Sequence, residues 1–301
     1  MYVSGPMTDD QPLMRYFSHD KFLRLLDPQP AINVWKFLDP PPKDTVIWKA
    51  PTPLEYGSLW MSFPQSFIAN DPDEGMFPAL NASDEAFCDA AASHLGLSPE
   101  EAEQRKLHFL SQNPASLREG IRARTQLCGV SCWYQDVSES IRMWRDYVPD
   151  GKGVVVKTTL KYFGEAIVCK TPQYSKSARP EFATINYVDR EKFFLVNDGY
   201  YHLLTIKGEG FNHEREVRLI AKSPELVQAT DNNASPTGDE ISALVINAGK
   251  GFNVLIDLKQ LISEIRVHPN LPIEYVDTIK AEIEKNGISP DIVKPSELSI
   301  S

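Results

Sequence analysis

The sequence predicts an α+β fold whose core is a mixed or antiparallel sheet with a helical insertion. Three observations indicate this class: short apolar and aromatic runs recur along the chain, residues 83–127 are rich in helix signals, and a strand–helix–strand unit follows them. With 301 residues the chain can bury a sizeable core. We expect one domain over residues 31–288, preceded by an irregular segment (residues 1–30) and followed by a tail (residues 289–301).

Two early segments, residues 32–37 and 58–63, are typical of strands because apolar and aromatic residues dominate them. The second must end at Pro64, since proline supplies no backbone donor. Residues 70–75 then form an acidic, turn-rich loop.

The helical block begins where Ser83 can cap a first helix. Ser98 and Glu101 have the spacing of a capping box and predict a second helix, and Pro114 separates it from a third. These signals lie between strand-rich flanks, so we expect a helical insertion.

A compact strand–helix–strand unit comes next. Residues 129–134 and 154–158 are the two strands, and Asp136 with Glu139 predicts a capping box at the start of the helix between them. The apolar stripe expected on this helix consists of Val137, Ile141, Trp144 and Val148.

The second half of the chain alternates strands with shorter helices. Helices are expected after Asp189, after Asp257 and over residues 273–286. The expected strands are residues 166–170, 183–188, 216–221, 243–247 and 253–256.

Charge and composition exclude several classes of function. The 31 basic and 41 acidic residues give a net charge of −10, which opposes tight nucleic-acid binding but leaves a local basic groove open. Four cysteines without metal-ligand spacing predict neither a disulfide scaffold nor a metal site. No apolar run reaches the ~18 residues that span a bilayer and no secretory signal is visible, so we expect a cytoplasmic protein without a membrane partner.

The first candidate site lies at the start of the strand predicted at residue 216. In a strand, Glu214, Glu216 and Arg218 project to one face, and Lys207 adds a cation near the same end. Carboxylates there can accept hydrogen bonds from ribose hydroxyls and stabilise a developing oxocarbenium charge. The simpler alternative is an exposed, charge-paired edge strand.

The second candidate is a group of aromatic residues at the strand–helix junction, Trp133, Tyr134, Trp144 and Tyr147, with Arg142 beside them. Such aromatics can stack on a base or a nicotinamide ring, although an aromatic stripe at helical spacing is more often part of a core.

The third candidate comprises Trp35 and Lys36 together with the acidic loop that contains Asp71 and Glu74. Lys36 can meet a phosphate on the sheet face opposite its aromatic neighbours, or it is an ordinary surface lysine. The loop can bind a divalent cation, but turn chemistry explains it equally well.

Taken in chain order, these segments resemble an uncharacterised bacterial family, domain of unknown function 2971, over about residues 30–288. The matching segments are Trp35-Lys36-Phe37, Leu59-Trp60-Met61-Ser62-Phe63-Pro64, Asn70-Asp71-Pro72 with Glu74, Cys132 with Met143-Trp144 and Tyr147, Gly153, Lys207, Glu214-x-Glu216-x-Arg218, and Ile265-x-Val267 with Pro269.

More loosely, the chain is similar to the ADP-ribosyltransferase fold. That fold has an early strand with His or Arg, a strand–helix–strand segment, and a glutamate that opens a late strand. In this chain the early strand would carry Lys36, and the strand–helix–strand segment would be residues 131–156. The glutamate of the late strand would lie in Glu214-Arg215-Glu216. Where the family carries Ser-Thr-Ser, this chain has Cys132-Trp133-Tyr134.

This resemblance implies that NAD is the substrate. Glu216 would stabilise the oxocarbenium-like state as nicotinamide leaves, and Glu214 would orient the acceptor. Trp133, Tyr134 or Trp144 would enclose the nicotinamide, and Lys36 and Arg142 would contact the pyrophosphate. The residues expected to bind NAD are Trp35, Lys36, Trp133, Tyr134, Arg142, Trp144, Tyr147 and Arg218.

The sequence therefore predicts an NAD-using ADP-ribosyltransferase or NAD glycohydrolase that acts as a bacterial toxin or phage-defence effector. Its acceptor is a protein or a nucleic acid, and an inhibitory partner protein is a further expectation. The first alternative is a non-catalytic sensor or interaction module. A weaker alternative is a metal-dependent nuclease that uses Asp71, Glu74, Glu214 and Glu216.

Overall fold

The structure is a computed structural model that describes residues 2–4, 7–27, 56–79, 83–93, 97–111, 114–167, 180–193, 195, 201–223, 226 and 250–298. Over this part of the chain the protein is a mixed α+β structure built on a ten-stranded mixed sheet. The fold class expected from the sequence is confirmed at this level.

Twelve strands, eight helices and several short 3-10 segments are described. The strands are β1 (Tyr2–Ser4), β2 (Pro12–Ser18), β3 (Tyr56–Ser62), β4 (Cys128–Tyr134), β5 (Gly153–Thr159), β6 (Glu181–Thr184), β7 (Asn186–Val188), β8 (Ile206–Gly208), β9 (Glu216–Lys222), β10 (Gly251–Asp257), β11 (Glu264–Val267) and β12 (Val293–Pro295). The helices are α1 (His19–Leu26), α2 (Asp84–Ser93), α3 (Pro99–Ser111), α4 (Pro114–Gln126), α5 (Ile141–Tyr147), α6 (Leu160–Ala166), α7 (Leu258–Leu261) and α8 (Ile273–Lys285).

The sheet forks at β4. Its main path runs β1-β6-β9-β4-β2-β5-β11-β12, with parallel pairing at β1·β6 and β11·β12 and antiparallel pairing elsewhere. One edge of β4 pairs with β9 along its length, whereas the other edge pairs with β3 at Val130 and with β2 at Tyr134. β3 and β10 form an antiparallel branch, and β7 pairs with β8 in a separate parallel ribbon.

Side chains alternate between the two faces of this sheet, and each face buries its own apolar cluster. On one face Leu13, Phe17 and Trp133 join Val217 and Leu219 in the main core, which α1, α6, α7 and α8 cover. The opposite face packs against α5 and against α4 of the helical insertion. β9 and β4 are therefore covered on both sides.

The expectation of an irregular N-terminal segment is wrong. β2 lies between β4 and β5 near the centre of the sheet, and α1 follows it directly. Pro12 is compatible with this role because it occupies the first residue of the strand. The expectation of a tail after residue 288 is also wrong over residues 293–295, because β12 pairs with β11.

The helical insertion is confirmed. Ser83 accepts a hydrogen bond from the amide of Ala86, and Ser98 and Glu101 exchange the two hydrogen bonds of a capping box. The longest helices described have 13 residues, and in the described part of the chain none is long and apolar enough to cross a membrane.

The strand–helix–strand unit is present as β4, α5 and β5, but the predicted start of its helix is wrong. α5 begins five residues after Asp136, and Ser140 caps it by accepting from the amide of Met143. Asp136 instead accepts from the amides of Val137 and Ser138 in a local turn, so Val137 is 73% exposed rather than part of a core stripe.

Of the later predictions, the strands over 216–221 and 253–256, the cap at Asp257 and the last helix are confirmed. The strand predicted over 183–188 is present as β6 and β7, which Ile185 separates. The strand predicted over 166–170 is wrong at Ala166, which ends α6, and its residues 168–170 lie outside the described residues. The helix predicted after Asp189 is wrong at its start, where residues 190–192 form a turn. The strands predicted over 32–37 and 243–247 lie outside the described residues.

The central position of β2 predicts a large effect of truncating Leu13, which is fully buried in the main core. Leu13→Ala is expected to lower the free energy of unfolding by about 2–5 kcal/mol, because it leaves a cavity that the neighbours cannot fill. Val137→Ala is the matched control and should cost less than about 0.5 kcal/mol. Denaturant unfolding measures both, and a Leu13→Ala cost as small as the control's would contradict the placement of β2.

Candidate functional site

The site is built on the turn that leads into β9. A 3-10 helix (Glu209–Glu214) ends at Glu214, and β9 begins at Glu216. Arg215 between them has a φ of 39°, in the left-handed region that side chains other than glycine seldom adopt. Its carbonyl accepts from the amide of Gln135, which fixes the turn against the end of β4. Both carboxylates consequently project toward the same lysine.

Five charged side chains meet at this turn, and we call them the β9 ion cluster. Lys207 of β8 donates to Glu214 Oε2 at 2.5 Å and lies 3.4 Å from Glu216 Oε2. Arg218 donates from Nε to Glu216 Oε1 at 2.7 Å, and from Nη1 and Nη2 to the two oxygens of Glu74 at 2.6 and 2.9 Å. Each of the five residues is less than 10% exposed.

Neutral groups complete the shell of the β9 ion cluster. The Tyr147 hydroxyl donates to Glu214 Oε1 at 2.9 Å, and the amide of Glu216 donates to the Tyr187 hydroxyl at 2.8 Å. Cys132, on the neighbouring strand, pairs with Arg218 in the β4·β9 ladder and lowers the pKa of the Glu216 carboxyl. Three carboxylates face two cations, so the ionised cluster carries a net charge of −1.

The cations hold Glu216 in its ionised form. Burial alone would raise the pKa of this carboxyl, but Arg218 and Lys207 outweigh burial and lower the pKa to about 2. Burial opposes the charge of Lys207 as well, yet Glu216 and Glu214 raise its pKa above the usual value. At neutral pH Glu216 is therefore an anion that can stabilise positive charge or accept hydrogen bonds, and it is not a general acid.

The hydroxyl and thiol next to the cluster stay protonated. Burial raises the pKa of Tyr147, and Glu214 and Glu216 raise it further. Burial and the charge of Glu216 likewise raise the pKa of the Cys132 thiol. The Tyr147 hydroxyl therefore acts as a hydrogen-bond donor to Glu214, and Cys132 is not a reactive thiolate.

The structure brings together the four charged residues predicted at this strand, namely Lys207, Glu214, Glu216 and Arg218. The alternative of an exposed edge strand is wrong, because β9 lies between β6 and β4 and is buried. The charge pairing that this alternative expected is nevertheless present. Sequence reasoning missed the contact between Glu74 and Arg218, which joins residues 144 positions apart. Nothing local in the sequence signals that pairing.

Two of the aromatic predictions are wrong. Trp133 lies on the sheet face opposite Glu216, is 1% exposed and packs on Phe163 with ring centroids 4.5 Å apart. Trp144 is fully buried and packs edge-on against Tyr16 at 4.9 Å. Neither side chain can line a site with Glu216, because each is enclosed in the apolar core.

The remaining predicted residues differ in their relation to the cluster. Tyr147 contacts it directly, and Tyr134 stands opposite Glu216 in the β4·β9 ladder while its hydroxyl donates to Asp136. Arg142 is exposed on α5 and lies 3.7 Å from Asp146. Trp35 and Lys36 lie outside the described residues.

The acidic loop contributes to the cluster through one residue. Asp71 accepts a hydrogen bond from the amide of Asp73, as turn chemistry predicts, and Glu74 is bonded to Arg218. Among the described residues, no three His, Cys, Asp or Glu side chains are grouped so that they could hold a metal ion.

Comparison with known proteins gives no relative: no family model, curated protein or solved structure matches this chain. The chemistry of the β9 ion cluster therefore rests on its own geometry.

The low pKa of Glu216 predicts a pH dependence of stability. Because the pKa is about 2 in the folded protein and near its ordinary 4.5 in the unfolded chain, ionisation of Glu216 stabilises the fold above pH ~4.5. This contribution, about 3 kcal/mol, is expected to disappear as the pH falls from ~5 toward ~2. Denaturant unfolding across this pH range measures it.

The matched variants for that experiment are Glu216→Gln and Glu284→Gln, the latter on the exposed side of α8. Glu216→Gln should be less stable at pH 7 and should lose stability less steeply in acid, whereas Glu284→Gln should keep the wild-type profile. Identical acid profiles for Glu216→Gln and the wild type would show that Glu216 is not held ionised by the fold.

Proposed function

We propose that this chain is an ADP-ribosyltransferase-like enzyme that uses NAD as its substrate. The observation that carries the proposal is the Glu216 carboxylate, which opens a late strand and is held ionised by Arg218 and Lys207. A carboxylate that is anionic throughout the working pH range suits a reaction in which positive charge develops on the substrate.

The proposed reaction uses that charge directly. The bond between the nicotinamide nitrogen and the ribose carbon of NAD breaks, and the bonding electron pair leaves with neutral nicotinamide. Positive charge then develops on the ribose, where Glu216 stabilises it and accepts a hydrogen bond from a ribose hydroxyl. An acceptor nucleophile, or water in the glycohydrolase case, forms the new bond to that carbon and releases its proton to solvent.

The order of the elements along the chain supports the same proposal. A strand–helix–strand segment (β4, α5 and β5) precedes a glutamate at the start of a late strand (β9), and the early strand expected around Lys36 lies outside the described residues. This is the order expected from the resemblance to ADP-ribosyltransferases. Membership of the uncharacterised bacterial family, domain of unknown function 2971, is part of the proposal.

Tyr147 indicates where NAD would enter. It is 37% exposed and its hydroxyl donates to Glu214, so its side chain lies between the surface and the buried cluster at the end of α5. We place the nicotinamide against the Tyr147 ring. A ribose hydroxyl would replace the longer of the contacts to Glu216, the 3.4 Å approach of Lys207, and leave the Arg218 pair in place.

The remaining roles follow from the proposed chemistry. Glu214 would orient the acceptor. Arg142, five residues before Tyr147 on α5, would contact the pyrophosphate together with Lys36. The acceptor would be a protein or nucleic acid of a target cell, in keeping with a toxin or phage-defence effector working in the cytoplasm. An inhibitory partner protein would cover the mouth at Tyr147.

A non-catalytic interaction module is the second candidate, and one observation favours it. Both oxygens of Glu216 and both oxygens of Glu74 are already bonded to cations. Complete pairing of this kind is what a purely structural ion cluster shows. In that case the cluster would fix β9 against β8 and the acidic loop, and a protein partner would bind elsewhere.

Nicotinamide release from NAD separates the two candidates. Wild-type protein is expected to release nicotinamide, and Glu216→Gln should lower the rate by about 100-fold or more, because it removes the charge opposite the developing cation. Glu209→Gln is the matched control, since Glu209 is exposed on the same 3-10 helix and makes no contact with the cluster. Chromatography of the reaction mixture measures the rates.

Circular dichroism must show that Glu216→Gln is folded at the assay temperature. Equal rates in Glu216→Gln and the wild type would contradict the proposed role of Glu216. A wild-type protein that neither binds NAD nor releases nicotinamide would support the non-catalytic module instead.

A further inference from the structure

A cleft of about 600 Å³ lies beyond the Ser18–Gly153 pair, at the end of the β2·β5 ladder. Three segments meet there: the junction of β2 with α1, the loop between α5 and β5, and the start of α8. The cleft shares no residue with the β9 ion cluster. Its volume is typical of sites that bind small molecules.

Backbone hydrogen bonds hold the three segments against one another. The amide of His19, at the start of α1, donates to the carbonyl of Lys152 at 3.0 Å. The amide of His268, between β11 and α8, donates to the carbonyl of Gly153 at 3.0 Å. Gly151 has a φ of 68°, in the left-handed region that glycine adopts without strain, so the loop can turn sharply. The walls of the cleft are therefore fixed by the fold itself.

Tyr275 and His19 form an aromatic wall of the cleft. The Tyr275 hydroxyl lies 2.5 Å from His19 Nδ1, and the two rings are tilted with their centroids 5.5 Å apart. This contact fixes the Tyr275 ring, and Leu271 and Pro272 add apolar surface from the same segment. Such a wall can pack against the hydrocarbon part of a ligand, and an aromatic ring attracts a nearby cation.

Two carboxylates make the cleft negative. Asp20, in the first turn of α1, and Asp150, in the loop before β5, both line it and are both exposed to solvent. Burial raises the pKa of Tyr275, and the charges of Asp150 and Asp20 raise it further, so both carboxylates act at the same hydroxyl. Among the described residues that line the cleft, Lys152 is the one lysine or arginine, so the carboxylates outnumber it.

We propose that this cleft binds a small organic amine, with its ammonium group at Asp20 and Asp150 and its hydrocarbon part against Tyr275 and Leu271. Carboxylates accept strong, charge-assisted hydrogen bonds from an ammonium group, whereas an anionic ligand would be repelled. The volume of the cleft accommodates the whole of such a molecule. The site is separate from the β9 ion cluster and does not depend on the function proposed for it.

Three ligands of similar shape test the proposal on the wild-type protein. 2-Phenylethylamine carries the ammonium group, 2-phenylethanol lacks the charge, and phenylacetate has the opposite charge. Titrations followed by saturation-transfer NMR measure the three dissociation constants at matched ionic strength. The amine is expected to bind about tenfold more tightly than the alcohol, and phenylacetate more weakly than either. Equal affinity for amine and alcohol, or no binding of the amine, would overturn the proposal.

Matched variants test where the amine is held. Asp20→Asn and Asp150→Asn should each weaken binding of 2-phenylethylamine about threefold, and the double variant about tenfold. Asp277→Asn is the control, because Asp277 is exposed on α8 outside the cleft and its loss changes the net charge of −10 equally. It should bind the amine as tightly as the wild type. Unchanged binding by the double variant, or equal weakening by Asp277→Asn, would contradict the site.

Discussion

The buried guanidinium of Arg218 is the constraint on which the centre of the molecule depends. It is 1% exposed in the middle of a ten-stranded sheet, and a charge in that position is tolerated only if it is fully paired. Glu216 supplies one carboxylate from the same strand, and Glu74 brings another from the acidic loop. Removing one member of such a group typically lowers the free energy of unfolding by about 3–5 kcal/mol. The cluster therefore holds the acidic loop, β8 and β9 in contact at this point.

The same pairing determines what the site can do chemically. Cations beside Glu216 keep it ionised in a place where burial alone would favour the neutral acid. That property suits electrostatic stabilisation of a cationic transition state and is unsuited to proton transfer at neutral pH. The Tyr147 ring, which is 37% exposed, connects this charge to the surface, and the left-handed turn at Arg215 sets the direction of both carboxylates.

Local patterns in the sequence predicted much of the fold and four of the five charged residues of the site. The helical insertion, the strand at Glu216 and the shared face of its charges follow from caps and alternation. The central strand β2 was missed because the prolines around it suggest irregular structure, and the start of α5 was misplaced because Asp136 bonds its own following amides. The contact of Glu74 with Arg218 and the burial of Trp133 depend on how distant elements pack, which spacing in one sequence does not encode.

The ionisation of Glu216 tests the account most directly. Carbon-13 NMR of the glutamate carboxyl groups, with the Glu216 signal assigned by comparison with Glu216→Gln, reports protonation residue by residue. We expect this carboxyl to remain ionised at pH 4, where a glutamate with the ordinary pKa of 4.5 is more than half protonated. A midpoint at or above the ordinary pH 4.5 would contradict this expectation, because the cations of the cluster would then not be holding the charge.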